Sequence, residues 1–359
     1  MSLLIRRPDE RIRTYAKAVF DKHFELDPRL EKEYDDRRRM LMFDDILYNL
    51  EYLSTSLQFR DSSLMVHYTI WLSDLLQNLM PDLDPGRIRQ QLLTHFEILR
   101  DTADEVYLPD EAGLARQVLE EAMDALRSHQ QTPWMSSLDQ GPNGDIRTRY
   151  LEHLIGGDTR GALRVIHEAR MSGLPLPEMY LDVLQKVMHE VGQLWHLNRL
   201  TVDKEHFSTT TTQTAMAGFY ETIFSRPRTG RRILTCCVGS ELHEMGIRML
   251  SDLFEYEGWD SLYLGAAMPV SAVLHSIREF QPQLVGLSVT IPVYLRECHQ
   301  MVMAIREAFP EVRIAVGGQA FAMTGPVWES WGVDAYAPDA AGLLQWAGRN
   351  WPAQMAQQP

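Results

Sequence analysis

The stretch RRILTCCVGSELHEMG, residues 231–246, passes from an apolar run into a polar loop. Its first half has the length and the β-branched and aliphatic content of a buried strand. The second half, GSELHEMG at 239–246, places His243 between the carboxylates of Glu241 and Glu244. Helical periodicity starts at 244. The stretch therefore predicts a strand, a loop that carries a histidine, and a helix.

The same alternation continues over residues 231–350. Four more short apolar runs follow, namely DSLYLGA, QLVGLSVT, VRIAVGG and VDAYAP, and helical patterns separate them at 244–257, 271–280, 295–308, 321–331 and 339–347. Alternating strands and helices favour a parallel sheet with both faces covered. Five strands suit the flavodoxin-like (Rossmann-like) order 2-1-3-4-5, whose ligand crevice lies at the carboxyl ends of strands one and three.

The residues before this region have helical patterns. The sequence predicts an all-helical domain of unknown role at 1–128, a linker rich in Gln, Ser, Pro and Gly at 129–145, and a four-helix bundle at 146–226. We therefore expect an α + α/β protein with three parts. No glycine-rich loop or paired metal ligands occur in 1–128, and His23, His67 and His95 are best interpreted there as scattered structural histidines.

Composition limits the possible functions. The chain has 359 residues and a formal net charge of -14, which argues against a protein that coats nucleic acid, since phosphate binding needs a basic patch. No apolar run is long enough to cross a membrane, and the first residues lack the pattern of a signal peptide. Cys236 and Cys237 are neighbours in a predicted strand and point to opposite faces, so buried thiols in a reducing cytoplasm are expected.

Three features fall at the same edge of the predicted sheet. The loop with His243 follows the first strand, the segment SVT at 288–290 ends the third, and the pair Gly317-Gly318 ends the fourth. Glu241, two residues before the histidine, can reach one imidazole nitrogen and fix the tautomer, as metal-bound histidines usually require. Paired glycines let the backbone approach a thin ligand segment closely.

These residues resemble the cobalamin-binding pattern DxHxxG…SxL…GG. His243, Gly246, Ser288, Gly317 and Gly318 match it, with 41 residues between Gly246 and Ser288 and 26 between Thr290 and Gly317. Glu241 replaces the usual Asp, and Thr290 replaces the usual Leu. The resemblance implies that His243 binds cobalt from below and that Ser288 and the glycines line a slot for the nucleotide tail. The alternative is a flavodoxin-like response domain with a structural loop histidine.

The bundle carries a second resemblance. Trp195, nine further residues, and then Glu205-His206 are similar to an arrangement in light-sensing, cobalamin-dependent transcription regulators. The resemblance implies that these side chains surround an upper 5′-deoxyadenosyl group, by packing and hydrogen bonding. The alternative makes Trp195 helix core and Glu205-His206 a solvated helix start. Those regulators begin with a winged helix-turn-helix, whose pattern residues 1–128 lack, so no direct binding of nucleic acid is expected.

The sequence thus favours an adenosylcobalamin-binding photoreceptor that signals through an unknown protein partner and forms a homo-oligomer, with no residue in acid, base or nucleophile chemistry. His196 is a candidate cobalt ligand after illumination, or a solvent-facing residue at the helix end. The rival is a corrinoid protein that carries methyl groups as methylcobalamin. A mutase subunit is a third hypothesis, but residues 1–128 are too short for a (β/α)₈ substrate barrel.

Overall fold

The computed structural model describes residues 10–352, which form two compact units. Unit 1 contains the described residues up to Gln131 together with Thr290–His299 and Gln319–Val327. Unit 2 contains Thr132–Val289, Gln300–Gly318 and the described residues from Trp328 onward. The first nine residues of the predicted 1–128 domain lie outside the described part of the chain.

Unit 1 is built on helices, as its sequence patterns predict. They are α1 Glu10–Leu26, α2 Leu30–Glu33, α3 Asp36–Phe59, α4 Ser63–Leu79, α5 Pro85–Val106 and α6 Pro109–Ser128. Side-chain caps start two of them: Asp35 accepts a hydrogen bond from the backbone N–H of Arg38, and Asp84 accepts one from that of Arg87. No strand precedes Arg232 in the described chain, so this region has no β-wing.

Two histidines of unit 1 meet in its interior. His23 Nε2 lies 3.0 Å from His95 Nδ1, and the rings stack. The Asn49 amide nitrogen lies 2.9 Å from His95 Nε2, so Nε2 accepts that bond and Nδ1 donates to His23. Burial lowers the pKa of His95 to about 3. The expectation of scattered histidines is therefore wrong for this pair, because helices α1 and α5 pack side by side.

The first part of unit 2 is a helical bundle. Its helices are α7 Gly144–Gly156, α8 Thr159–Met171, α9 Leu176–Glu178, α10 Gln185–His196, α11 Val202–Ala217 and α12 Tyr220–Phe224, with a π-helical segment, Met179–Leu184, joining α9 to α10. Arg147 is fully buried: it pairs with Asp182 of the π segment at 2.7 Å and donates to the Leu138 carbonyl at 2.8 Å. Arg147 therefore connects the segment before α7, through Leu138, to the π-helical segment of the bundle, through Asp182.

The second part of unit 2 holds the five-stranded parallel sheet. Its strands are β1 Arg232–Cys237, β2 Asp260–Tyr263, β3 Leu284–Ser288, β4 Arg313–Gly317 and β5 Ala335–Ala337, in the order β2-β1-β3-β4-β5. The helices between and after them are α13 Met245–Tyr256, α14 Val270–Phe280, α15 Leu295–Ala308, α16 Gln319–Ala322 and α17 Ala340–Asn350. The predicted flavodoxin-like order is confirmed.

One predicted helix is wrong. The structure has α16 and a 3₁₀ segment, Val327–Trp331, where the sequence pattern predicted one helix over 321–331. Gly325-Pro326 stands between the two pieces, and proline removes the N–H that a continuous helix would need.

Helix α13 connects the bundle to the sheet. Its residues Met249 and Leu253 belong to the bundle core, whereas Ile247, Leu250 and Phe254 pack in the core beneath the sheet. Tyr180 donates a hydrogen bond to Asp252 of this helix at 2.9 Å. Because α13 begins directly after His243, the bundle is positioned relative to the loop that carries this histidine.

The segments Thr290–His299 and Gln319–Val327 are fastened to the helices of unit 1. Arg296 forms an ion pair with Glu51, which is fully buried, and donates to Ser54 Oγ at 3.0 Å. The N–H of Gly325 donates to Asp61 at 2.7 Å. Chain segments that follow β3 and β4 therefore belong to the packing of the N-terminal helices.

No helix in residues 10–352 combines the length and the apolar character that crossing a lipid bilayer requires.

Candidate cobalamin-binding site

The loop after β1 is held in place by its own backbone. The Glu241 N–H donates to the Val238 carbonyl, and the Glu241 carbonyl accepts from the Ala267 N–H, both at 3.0 Å. Gly239 turns the chain with a φ of 60°, in the left-handed region that glycine tolerates. The loop is thus tied both to the end of β1 and to the segment after β2.

Glu241 orients His243. The carboxylate is fully buried, and its Oε1 lies 2.6 Å from His243 Nδ1 and 2.9 Å from the His243 backbone nitrogen. An ionised carboxylate only accepts, so the ring donates from Nδ1 and keeps the lone pair of Nε2 for another partner. The histidine side chain is 59% exposed, so that nitrogen is accessible.

The charge around His243 is negative. The hydrogen bond that His243 donates to Glu241 raises the pKa of His243, burial lowers this pKa, and the charges of Glu241 and Glu205 raise it further. Glu205 is in the first turn of α11, in the bundle. The structure therefore brings the cap carboxylate and the loop histidine into one electrostatic environment, although 37 residues lie between them in the chain.

The other bundle residues predicted for the site lie around the α10–α11 connection. Trp195 is 37% exposed and takes no part in the bundle core. Glu205 accepts from Thr209 Oγ1 at 3.0 Å and lies 3.2 Å from His206 Nδ1. His196 is the last residue of α10 and is half-buried. An exposed tryptophan outside the bundle core differs from the alternative in which Trp195 is a buried helix residue.

The strand ends supply the remaining residues. Ser288 ends β3 and is paired in register with Gly317, which ends β4. Gly318 has a φ of 101°, and a Cβ there would lie 2.3 Å from the Val289 carbonyl oxygen. Only glycine fits this turn. Thr290 lies two residues after Ser288 and is the first residue of the segment Thr290–His299 of unit 1.

These residues fit a corrinoid better than a free metal ion. The described residues contain no group of three or more His, Cys, Asp or Glu side chains that could hold a metal by themselves. A corrin ring already supplies four nitrogen ligands to its cobalt and needs from the protein a single oriented donor such as His243 Nε2. Gly246, in the first turn of α13, has no atom within 4 Å of an added Cβ, which leaves open space beside the loop.

Comparison with known proteins defines the class. Two models, each described as a B12 binding domain, match residues 146–218 and 231–343. These ranges correspond to the helical bundle and to the sheet with its helices. The chain therefore contains a cobalamin-binding module in which a helical cap precedes a flavodoxin-like domain.

Two curated relatives and one solved structure illustrate the resemblance. The chain is 25% identical over 152 residues to the HTH-type transcriptional repressor CarH of Myxococcus xanthus. These residues make up 42% of this chain and 50% of that protein. It is 24% identical over 176 residues to the HTH-type transcriptional repressor CarA of the same organism. That match covers 49% of this chain and 58% of that protein. The chain thus matches only about half the length of these relatives. The Methanosarcina barkeri monomethylamine corrinoid protein has the same fold over the matched part, with a TM-score of 0.52 and 17% sequence identity. The match covers 58% of this chain and all of that protein.

Sequence reasoning missed several features of unit 2. The π-helical segment and the buried Arg147 left no pattern that differs from an ordinary amphipathic helix. Thr235, in the middle of β1, follows the strand pattern like its neighbours, yet its buried hydroxyl has no hydrogen-bond partner among residues 10–352. A polar residue inside an otherwise apolar strand run was the only available signal.

Proposed function

We propose that this protein is a light receptor that binds adenosylcobalamin and signals through protein contacts. His243 would bind the cobalt from the sheet side through Nε2, with Glu241 holding the ring. Trp195, Glu205 and His206 would hold the adenosyl group on the bundle side. Bound adenosylcobalamin supplies a cobalt–carbon bond that light can break.

The single observation that supports this proposal is the 2.6 Å hydrogen bond from His243 Nδ1 to the buried Glu241 carboxylate, which leaves Nε2 of an exposed imidazole available to bind cobalt. The negative charge of Glu205, in the first turn of α11, also acts on His243, which supports a site that uses both the bundle and the loop. The exposed indole of Trp195 provides an apolar face that the bundle itself does not use. These observations support a site in which a flat macrocycle would lie between the loop and the bundle.

The output would not require duplex DNA to bind this chain directly. The net charge is -14, and the N-terminal helices contain no β-wing within the described residues. A gel shift at physiological salt tests this expectation. Sequence-specific retardation of duplex DNA by the isolated protein at nanomolar concentration would contradict it.

The second candidate is a carrier of methyl groups, which the fold shared with the monomethylamine corrinoid protein makes relevant. The half-exposed Trp195 favours the photoreceptor, because a bulky side chain over the upper face obstructs access by a methyltransferase partner. Both functions use the same lower half of the site, so the upper ligand decides between them.

The experiment is an absorption spectrum of the protein loaded in darkness with adenosylcobalamin, recorded before and after green light. We expect tight binding in the dark and a persistent spectral change after illumination. Retention of methylcobalamin with no retention of adenosylcobalamin would favour the methyl carrier. Binding of neither would refute both candidates.

A further inference from the structure

Three polar side chains form a stripe along helix α11 of the bundle. Glu205, Thr209 and Gln213 follow one another at intervals of four residues, so they lie on one face of the helix. All three are half-buried, and the stripe lies at the edge between the buried and the exposed sides of α11. The stripe is therefore shielded from solvent in part and is not used up by the bundle core.

Both ends of this stripe act on the loop that carries His243. Gln213 Nε2 donates a hydrogen bond to Glu244 Oε1 at 3.4 Å, and the negative charge of Glu205 acts on His243. Thr209 lies between Glu205 and Gln213, about one helical turn from each. The stripe therefore belongs to the side of the bundle that faces the loop.

The hydroxyl of Thr209 holds the carboxylate of Glu205. Helical Ser and Thr commonly donate to the backbone carbonyl four residues earlier, and Ser208 and Thr214 of α11 do so at 2.7 and 3.0 Å. Thr209 instead donates to the side-chain oxygen Oε1 of Glu205, at 3.0 Å. The other oxygen, Oε2, lies 3.2 Å from Nδ1 of His206, whose side chain is 75% exposed, so solvent weakens that contact. Thr209 therefore provides the better-shielded of the two bonds that orient Glu205.

We infer that Thr209 is a positioning residue, which fixes the Glu205 carboxylate for a nucleoside upper ligand and so favours adenosylcobalamin over methylcobalamin. This inference rests on the proposed function, in which Glu205 holds the adenosyl group. An ionised carboxylate only accepts hydrogen bonds, and the hydroxyl and amino groups of an adenosyl group donate them. A methyl group has no donor, so it gains nothing from an oriented carboxylate.

The benefit of the Thr209 bond is preorganisation. A glutamate side chain has several rotatable bonds, and ordering it when a ligand binds costs conformational entropy. The hydrogen bond from Thr209 already orders Glu205 before a ligand is present, so less of this cost falls on binding.

The test measures dissociation constants in darkness for adenosylcobalamin and for methylcobalamin. Thr209→Val keeps the shape of the side chain and removes the hydroxyl. We expect this variant to bind adenosylcobalamin about three- to tenfold more weakly, the usual effect of one hydrogen bond, and methylcobalamin within about twofold of the wild type. Thr209→Ser keeps the donor, so its affinity for either cofactor should stay within about threefold of the wild type.

Thr210→Val is the matched control. Thr210 is the next residue of α11, is exposed and lies outside the stripe. The same chemical change on the same helix should leave both dissociation constants unchanged. Threonine and valine have similar helix propensities, so both valine variants should keep the melting temperature of the cofactor-free protein.

A second background shows whether Thr209 acts through Glu205. In a Glu205→Ala protein the carboxylate is absent, so adding Thr209→Val should lower the affinity for adenosylcobalamin by less than about twofold. A full further loss in this background would show that Thr209 acts by another route and would overturn the positioning role.

Two other results would also overturn the inference. Equal losses of affinity for both cofactors in Thr209→Val would indicate a purely structural role, and unchanged affinity for both would remove Thr209 from the site. A wild type that retains methylcobalamin but not adenosylcobalamin would refute the proposed function instead. That failure is seen in the wild type and the others only in the variants, so the two are distinguishable.

Discussion

At the scale of single residues, the imidazole of His243 is the group whose removal is most informative. His243→Ala deletes the oriented Nε2 donor, so we expect weaker cobalamin binding and a spectrum that returns toward that of the free cofactor. Glu241→Gln keeps an acceptor for one N–H but loses the charge, and its affinity should fall by about tenfold. Titrating each variant with cobalamin and following the absorption spectrum measures both affinities. A His243→Ala protein with unchanged affinity and spectrum would show that the histidine has only a structural role.

His95 makes the stability of unit 1 depend on pH. Its pKa of about 3 in the folded protein lies below the unfolded value of 6.5, so the unfolded chain takes up a proton that the folded chain excludes. The contribution is fully present above pH 6.5 and is lost as pH falls toward 3. Between pH 6.5 and 5 the free energy of unfolding should fall by about 2 kcal/mol from this residue.

Urea unfolding at several pH values measures this loss. His95→Gln removes the titrating ring while retaining polar atoms for Asn49 and His23, so its stability should be lower at pH 7 and vary less between pH 6.5 and 5 than that of the wild type. An equal pH slope in the two proteins would assign the dependence to other groups.

At the scale of elements, two glycines of the predicted motif differ in what they do. A Cβ on Gly318 would meet the Val289 carbonyl oxygen at 2.3 Å with φ at 101°, whereas a Cβ on Gly246 would meet nothing within 4 Å. Gly318→Ala should lower the free energy of unfolding by about 1–3 kcal/mol through backbone strain. Gly246→Ala should leave stability unchanged or slightly raise it, because alanine favours helix.

Cobalamin titration of the same pair separates structure from binding. If Gly246 serves the ligand, Gly246→Ala should bind cobalamin more weakly in a fully stable protein. A Gly246→Ala protein with full stability and full affinity would remove that glycine from the site, and a stable Gly318→Ala protein would show that the turn can rearrange.

The strands and their order could be predicted because parallel strands are short, apolar and separated by helices of regular period. The Glu241–His243 pair could be predicted because two loop residues at this spacing are forced together locally. The π-helical segment Met179–Leu184 could not, since its changed backbone hydrogen bonding leaves no mark in the apolar pattern of the side chains. The His23–His95 contact depends on how distant helices pack, which periodicity does not encode.

At the scale of the whole molecule, we predict that His196 links light to assembly in the proposed photoreceptor. It ends α10, one residue after Trp195. If His196 becomes a ligand once the upper position is vacated, illuminated wild-type protein should show a cobalt spectrum with two nitrogen axial ligands, and the His196→Ala protein should not. Light scattering before and after illumination should give a change of molecular mass that depends on this residue. If the molecular mass is the same before and after illumination, the spectral change does not control assembly. If His196→Ala does not alter the spectrum of the illuminated protein, His196 is not a cobalt ligand.

The way the chain alternates between the two units limits how its N-terminal helices could be transferred to another protein. The polypeptide passes from one unit to the other five times, after residues 131, 289, 299, 318 and 327. A gene fusion cut near residue 131 would therefore transplant the N-terminal helices without Arg296 and Gly325, the partners of Glu51 and Asp61. Such a cassette would lack the guanidinium that pairs with the buried Glu51 carboxylate, and loss of one member of a buried ion pair is strongly destabilising. An appended domain can be exchanged at a single linker. These helices instead need the two segments that follow β3 and β4, Thr290–His299 and Gln319–Val327.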